Sequence, residues 1–282
     1  MGRITKTWFI TGCATGFGRA LVAAALGRGD SVAVTDRDRD SVVEWQERYP
    51  DRAVALQLDV TDPEQVQTAA REALLRFGRI DVLVNNAGYG LQAAVEEAAP
   101  AQLRHLFEVN FFGMVEVIRA FVPHLRRQGG GHIINFSSVG GRTAAPLLAL
   151  YGASKYAVEG LSLGLAQEVA DFGIKVTVVE PGAFATRFGA SAETPAHAMA
   201  PYAPIREGMA ALIGNLAQGE PETLAAAVLE LADSAEPPLQ FIGGGDAYGM
   251  IDAEIKRQQR EMEQWRALSE AANSKAQVRA SA

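Results

Sequence analysis

Short runs of consecutive apolar residues, many of them β-branched, recur along this chain, and between them apolar residues return at every third or fourth position. The short runs predict strands over 7–11, 31–36, 53–58, 80–85, 132–137, 174–179 and 239–242. Runs such as Val82-Leu83-Val84, Ile133-Ile134 and Val178-Val179 have no polar alternation, as strands buried on both faces require. The intervening segments, with Ala157, Leu161, Leu165 and Val169 as an example, have the period of helices with one apolar stripe. Strand and helix in alternation predict an α/β fold: a Rossmann-like, doubly wound, seven-stranded parallel sheet with helices on both faces and right-handed crossovers. Asp62-Pro63 marks a helix start and Gly78 its end, and Gly173 ends the helix that begins near Tyr151.

The pattern weakens over 183–221, which is rich in Ala, Pro, Gly and Met. A long excursion after a strand's C-terminal end predicts a substrate lid, with a variable surface loop as the alternative. The tail over 247–282 reads as helical to about 268 and then turns small and polar. All of this fits one domain spanning 282 residues.

Charge and cysteine content narrow the partners. A net charge of -7 argues against nucleic acid or an anionic membrane as the main partner. The single cysteine, Cys13, has no internal partner for a disulfide, which suits a reducing cytosol. The start lacks the long apolar core of a secretion signal, and no stretch approaches the ~18 apolar residues of a membrane span. The expectation is a cytoplasmic protein acting on a small molecule, with no metal in its site.

Candidate chemistry begins at Thr11-Gly12-Cys13-Ala14-Thr15-Gly16-Phe17-Gly18, between the first strand and the first helix. Glycines there allow a sharp turn and bring backbone N–H groups and a helix N-terminus up to a pyrophosphate. The spacing departs from Gly-x-Gly-x-x-Gly, but its place on the first strand–helix turn is where dinucleotides bind. Asp36, at the end of the second strand, is placed to accept the ribose hydroxyls of NAD and to repel the 2′-phosphate of NADP. Two alternatives stay open: a solvated charge in the run 36–40, or an inward-turning Arg37 that holds a 2′-phosphate. Asp59, with Val60 alongside, is placed to meet an adenine amino group or to cap a helix, although Asp62 already fills the capping role.

Tyr151 and Lys155 are four apart on one predicted helix and share a face. A tyrosine near its usual pKa of about 10 is a poor base at neutrality, and a neighbouring ammonium would bring it down. Tyr156 projects from another face. Ser138 follows the fifth strand and is free to hydrogen-bond a substrate oxygen beside the tyrosine, whereas strand alternation sends Ser137 to the opposite side of the sheet.

With these residues in place, the chain resembles the short-chain dehydrogenases/reductases from residue 7 to about 246. The elements that match are Thr11-Gly-x-x-x-Gly16-x-Gly18, Asp59, Asn85-Asn86-Ala87-Gly88, Asn110, Ser138, Tyr151-x-x-x-Lys155 and Pro181-Gly182 followed by Thr186. The resemblance implies Tyr151 as general acid/base and Ser138 as the group that polarises the substrate oxygen. Lys155 would bind the nicotinamide ribose and lower the tyrosine's pKa, and Asn110 would order a water in a proton relay. Gly12, Thr15, Gly16, Phe17, Gly18, Asp36, Arg37, Asp59 and Val60 would hold the nucleotide. Asn86, Ala87 and Gly88 would line the adenosine–ribose side, and Pro181, Gly182 and Thr186 the nicotinamide end. Many NADP-using members carry a basic residue inside the glycine loop; Cys13, Ala14 and Thr15 stand here, so with Asp36 the expectation is NAD, with NADP the alternative.

The implied activity is interconversion of a secondary alcohol with a ketone or aldehyde. Tyr89, Leu91, Leu147, Phe184, Phe188, Met199, Tyr202 and Met209 suggest a lipophilic substrate, while Arg142 and Arg187 could instead anchor a carboxylate. Relatives form dimers or tetramers through helices placed here near 103–127 and 151–171. Two rival readings are a dinucleotide sensor or scaffold without catalysis, disfavoured because all four polar groups are present, and an epimerase or dehydratase, disfavoured by the lack of a separate sugar-binding domain.

Overall fold

The computed structural model describes residues 4–189 and 191–272. In chain order the elements are β1 (Thr7–Ile10), α1 (Gly16–Gly27), β2 (Ser31–Asp36), α2 (Val43–Arg48), β3 (Ala53–Gln57), α3 (Pro63–Phe77), β4 (Val82–Asn85), α4 (Pro100–Phe107), α5 (Gly113–Gln128), β5 (Gly131–Phe136), α6 (Ala149–Val169), β6 (Ile174–Pro181), α7 (Ala203–Gly214), α8 (Pro221–Asp233), β7 (Gln240–Gly243) and α9 (Gly245–Ala272). Among the described residues the strands form one seven-stranded sheet in the order β3-β2-β1-β4-β5-β6-β7, every pair parallel. This is the expected Rossmann-like single domain, with strand ends displaced by one or two residues from the apolar runs.

Strand alternation divides the core in two. On β1, Trp8 and Ile10 pack with Leu21, Val34, Val179 and Leu224 under α1 and α8. Phe9 faces the other way, joining Leu83, Ile133, Val117, Phe121 and Val158 under α3, α5 and α6. Consecutive apolar residues are therefore needed because both faces are covered. The Asp62 carboxylate caps α3 by accepting from the N–H groups of Glu64 and Gln65, and Gly78 ends that helix with φ +76°. Gly173, φ +69°, ends the short turn after α6.

The strand order reverses between β1 and β4, so the loops leaving these strands diverge and open a crevice at the sheet's C-terminal edge. The 183–221 segment rises over that edge and contains α7, followed by the first residue of α8. Of the 28 residues of α9, Ala247 and Ile251 are buried. The tail beyond 272 lies outside the described residues. No helix among the described residues is long and apolar enough to cross a membrane, and these residues contain no group of three or more His, Cys, Asp or Glu that could hold a metal ion.

Candidate active site

The glycine loop is shaped by close approaches that exclude side chains. Gly12 and Gly16 take φ of +71° and +56°, the left-handed region that favours glycine. A Cβ on Gly18 would run into the Gly12 carbonyl and sit 2.7 Å from Asn86 Nδ2. Thr11 Oγ1 accepts from the N–H groups of Asn86 and Ala87, both at 3.0 Å. In return Asn86 Nδ2 donates to the carbonyls of Thr11 and Gly12, both at 2.9 Å. The ends of β1 and β4 are thus stitched together, and Asn86 serves as the stitch. Thr15 precedes α1 in an extended conformation with no side-chain bond to the helix, so it caps none of the first-turn N–H groups.

Asp36 is half-buried and its Oδ2 accepts from Ala14 N–H at 3.0 Å, placing a carboxylate at the loop's mouth; Arg37 beside it is exposed. Asp59 Oδ1 accepts from the N–H and the hydroxyl of Thr61, at 2.9 and 2.7 Å, so much of this side chain's capacity shapes its own turn. Val60 is buried against Gly113, where a Cβ would approach within 2.8 Å of the Val60 carbonyl. Phe17 joins an aromatic group, 5.7 Å from the Phe136 ring and 5.1 Å from the Phe184 ring. Phe17 and Phe184 therefore pack on each other beside the loop.

The second half of the site is carried by α6. Tyr151 and Lys155 lie on its inner face, 6% and 5% exposed, while Tyr156 points outward. Lys155 Nζ donates to the Phe136 carbonyl at 3.0 Å and lies 5.9 Å from the centre of the Tyr151 ring. Ser138 Oγ accepts from Gly140 N–H at 3.1 Å and stands beside the Tyr151 ring, a Cβ on Gly140 lying 3.6 Å from both Ser138 Oγ and Tyr151 Cε1. Asn110 sits in a π-helical turn, Glu108–Phe112, between α4 and α5; such widened turns recur at functional sites. Its Oδ1 accepts from Tyr89 N–H at 2.9 Å, and its Nδ2 donates to the Tyr89 carbonyl at 2.9 Å and to Ser154 Oγ at 3.1 Å. A Cβ on Gly88 would lie 3.1 Å from Asn110 Oδ1 and 3.4 Å from Lys155 Nζ, so these groups converge on one point at the glycine's bare face.

The electrostatics differ from the sequence expectation. Burial pushes the Tyr151 phenol up to about 12, partly opposed by the neighbouring Ser138 hydroxyl. Burial also brings the Lys155 ammonium down to about 8, opposed by the negative charge of Glu159.

Pro181 is buried at the end of β6, and Thr186 faces Gly16, its Cβ 3.6 Å from where a Gly16 Cβ would stand. Asp246 Oδ2 accepts from Ala183 N–H at 2.7 Å and fills the space a side chain on Gly182 would need. Leu91 and Tyr89 pack with Tyr151, and the Phe188 ring lies 5.4 Å from the Tyr151 ring. Leu147 and Met209 form a second apolar group with Tyr202 packed against it.

Two expectations are corrected. Ser137 Oγ lies on the α6 side, 3.4 Å from the Lys155 carbonyl, on the face that Ile133 and Asn135 also present to that layer; Ser138, past the end of β5, is the residue that leaves the alternation and turns to α6 as well. Arg142 pairs with buried Glu180 at 2.9 Å and is engaged within the protein. Sequence reasoning gave no role to Thr11, Asp246, Glu159 or Glu180. Thr11 stood in the glycine-loop motif, whereas nothing in the spacing signals that Asp246 reaches Ala183 or that Glu159 and Glu180 meet.

Comparison with known proteins accords with this geometry. The profile of the short chain dehydrogenase family matches residues 6–196. The chain is 40% identical to "Oxidoreductase BOA17" of Botryotinia fuckeliana over 270 residues, covering 94% of this chain and 98% of that one. The crystal structure of a short-chain dehydrogenase from Streptomyces avermitilis superposes with a TM-score of 0.90 at 40% identity, over 97% of this chain and 100% of that one. A short chain dehydrogenase from Burkholderia cenocepacia, solved in complex with NADP, gives 0.74 at 27% identity over 94% and 98%. The chain belongs to the short-chain dehydrogenase family of oxidoreductases.

Proposed function

We propose that this protein interconverts a secondary alcohol and a ketone or aldehyde by hydride transfer with a nicotinamide dinucleotide, with Tyr151 as general acid/base. The observation that carries the reading is the convergence of Ser138, Tyr151, Lys155 and Asn110 at the end of a groove whose other wall is the glycine loop. The groove suits the cofactor: Gly12, Gly16, Gly18 and Gly88 leave bare backbone, the α1 N-terminus is unfilled by Thr15, and Asp36 stands at the far end. When bound, the dinucleotide would accept or supply the hydride and add positive charge in its oxidised form.

The chain's own residues would do the rest. Thr15, Gly16 and Phe17 lead the pyrophosphate onto the α1 N-terminus. Asp36 takes the adenosine ribose, Asp59 and Val60 flank the adenine, and Ala87 and Gly88 flank the ribose. Pro181, Gly182 and Thr186 bound the nicotinamide end. Ser138 holds the substrate oxygen, Tyr151 takes or gives its proton, Lys155 favours the phenolate, and Asn110 fixes the Tyr89 backbone beside them. Orientation of donor and acceptor supplies much of the rate gain.

The Burkholderia relative holds NADP, so the fold by itself does not select the cofactor. In this chain the Asp36 carboxylate at the end of β2, together with the uncharged Cys13, Ala14 and Thr15 in the loop, supports NAD. The apolar surroundings of Tyr151 support a lipophilic substrate beneath 183–221 acting as a lid. Exposed Phe112, Tyr156 and Leu163 near and on α5 and α6 support assembly into a homodimer or homotetramer. The reading is tested by assaying lipophilic secondary alcohols and ketones with each dinucleotide. Turnover with NAD(H) exceeding that with NADP(H) is expected, and no turnover of any alcohol or carbonyl would contradict it.

A further inference from the structure

Directly behind Lys155 lies a buried acidic pair that the proposed chemistry does not use. Glu159 is one helical turn further along α6 and 4% exposed; Glu180, the residue before Pro181 in β6, is 0% exposed. Arg142, four residues after Ser138, reaches Glu180 Oε1 with its Nη1 at 2.9 Å. Gln240 Nε2 in β7 donates to Glu159 Oε2 at 3.0 Å. That leaves Glu159 Oε1 and Glu180 Oε2, both sealed from solvent. The two carboxyl groups face each other, and the Ser137 hydroxyl, whose bond to the Lys155 carbonyl is long at 3.4 Å, stands beside Glu159.

Two ionised carboxylates facing each other away from water would repel strongly, and the one hydroxyl beside them, that of Ser137, serves Glu159 alone and leaves Glu180 Oε2 unsatisfied. One proton between them satisfies both oxygens, and Arg142 balances the remaining charge. We infer that Glu159 and Glu180 form a carboxyl pair holding a single proton, a positioning unit that ties the Ser138 turn, α6 and the Pro181 turn together and sets the charge behind Lys155. The inference rests on the function proposed above. The Ser138 turn is seated on the pair, since a Cβ on Gly141 would lie 3.2 Å from Glu159 Oε1.

Burial pushes both carboxyls up; at Glu180 the charge of Glu159 adds to this and Arg142 opposes it. The other charged or titratable groups acting here are Lys155 and Tyr156 on α6, and through Tyr156 the α9 residues Glu254 and Arg257. Loss of the shared proton to solvent adds a negative charge one turn from Lys155. That charge holds the lysine's ammonium to higher pH, and the ammonium favours the Tyr151 phenolate.

The two glutamates therefore have opposite effects when their charge is removed. Glu159→Gln removes the charge nearest Lys155, and the alkaline limb of the pH–rate profile moves down by about one unit. Glu180→Gln leaves Glu159 without a competitor for its ionised state, and the same limb moves up. Shifts in the same direction, or unshifted profiles in both variants, would overturn the inference. A carboxyl titration of 13C-glutamate-labelled wild type by NMR requires neither variant nor substrate. One glutamate protonated at neutral pH is expected, and all glutamates ionised there would overturn the pair. Because the titration does not depend on turnover, it separates failure of the pair from failure of Tyr151 as acid/base.

Discussion

The two walls of the groove are built by different means. On the nucleotide side two short polar side chains, Thr11 and Asn86, bond main-chain groups of the facing loop, and Gly18 tolerates no side chain. On the substrate side the 183–221 segment is tied through backbone at Glu193, which bonds Gly90 and Gln92 at 2.8 Å each, and further along by longer charged and aromatic side chains. Glu97, its side chain shut off from solvent, accepts from Met199 N–H at 2.7 Å and from Arg206 Nη1 at 2.7 and 3.0 Å, and Tyr202 donates to Glu96 at 2.6 Å. A wall of bare glycine backbone pinned by two short side chains suits a ligand whose shape does not vary. A wall held in part by long side chains is altered readily by substitution.

The largest expected effect comes from breaking the backbone wall. Gly18→Ala forces α1 away from the Gly12 carbonyl, so thermal unfolding should show a loss of ~2 kcal/mol or more, and NADH affinity should fall at least about tenfold. Wild-type stability and affinity in this variant would mean that the loop is not shaped by that contact.

Asp36→Asn sharpens the picture on the same side. The amide oxygen can still accept from Ala14, but the negative charge is gone. The ratio of NADH to NADPH affinity should fall by roughly tenfold, about 1.4 kcal/mol; an unchanged ratio would transfer selection to another group such as Arg37.

On the lid side, Glu97→Gln removes the charge that holds Met199 and Arg206. KM should rise about severalfold while kcat changes little, the pattern of lost uniform binding. A collapse of NADH affinity instead would show that the two walls are not independent.

The sheet beneath both walls supplies a control, with the smallest effect on the site. His132 is buried, and burial lowers its pKa to about 3, whereas an unfolded histidine titrates near ~6.5. Its folded pKa is depressed, so the unfolded chain binds the proton first, and stability declines as pH falls from ~6.5 toward 3, by up to ~1.4 kcal/mol per unit. Replacing it (His132→Asn) should flatten that acid decline in a denaturation series and leave cofactor selectivity unchanged.

The same contrast governs what was legible in the sequence. Strands such as Val82–Asn85 were readable because burial on both faces demands apolar runs, and Tyr151 with Lys155 because helical spacing alone brings them together. Pairings across elements left no periodic trace. Asn110 lies in a π turn that no residue spacing announced. Ser137 follows Ile133 and Asn135 to the α6 side, and alternation gave no sign that Ser138, past the strand's end, turns there too. Arg142 looked like a surface anchor until Glu180, 38 residues away, was found opposite it. The weak period over 183–221 fits a segment attached through Glu97, Glu96 and the backbone of Glu193 rather than through a continuous apolar stripe.

The most direct test of the account is Tyr151→Phe, measured for NADH binding and for turnover on the same preparation. Loss of the hydroxyl removes the proton donor and acceptor while leaving the ring packed against Leu91 and Leu106. Turnover should fall by roughly 10²–10⁴ with NADH affinity retained. Turnover at the wild-type rate would contradict Tyr151 as the acid/base and, with it, the proposed reaction.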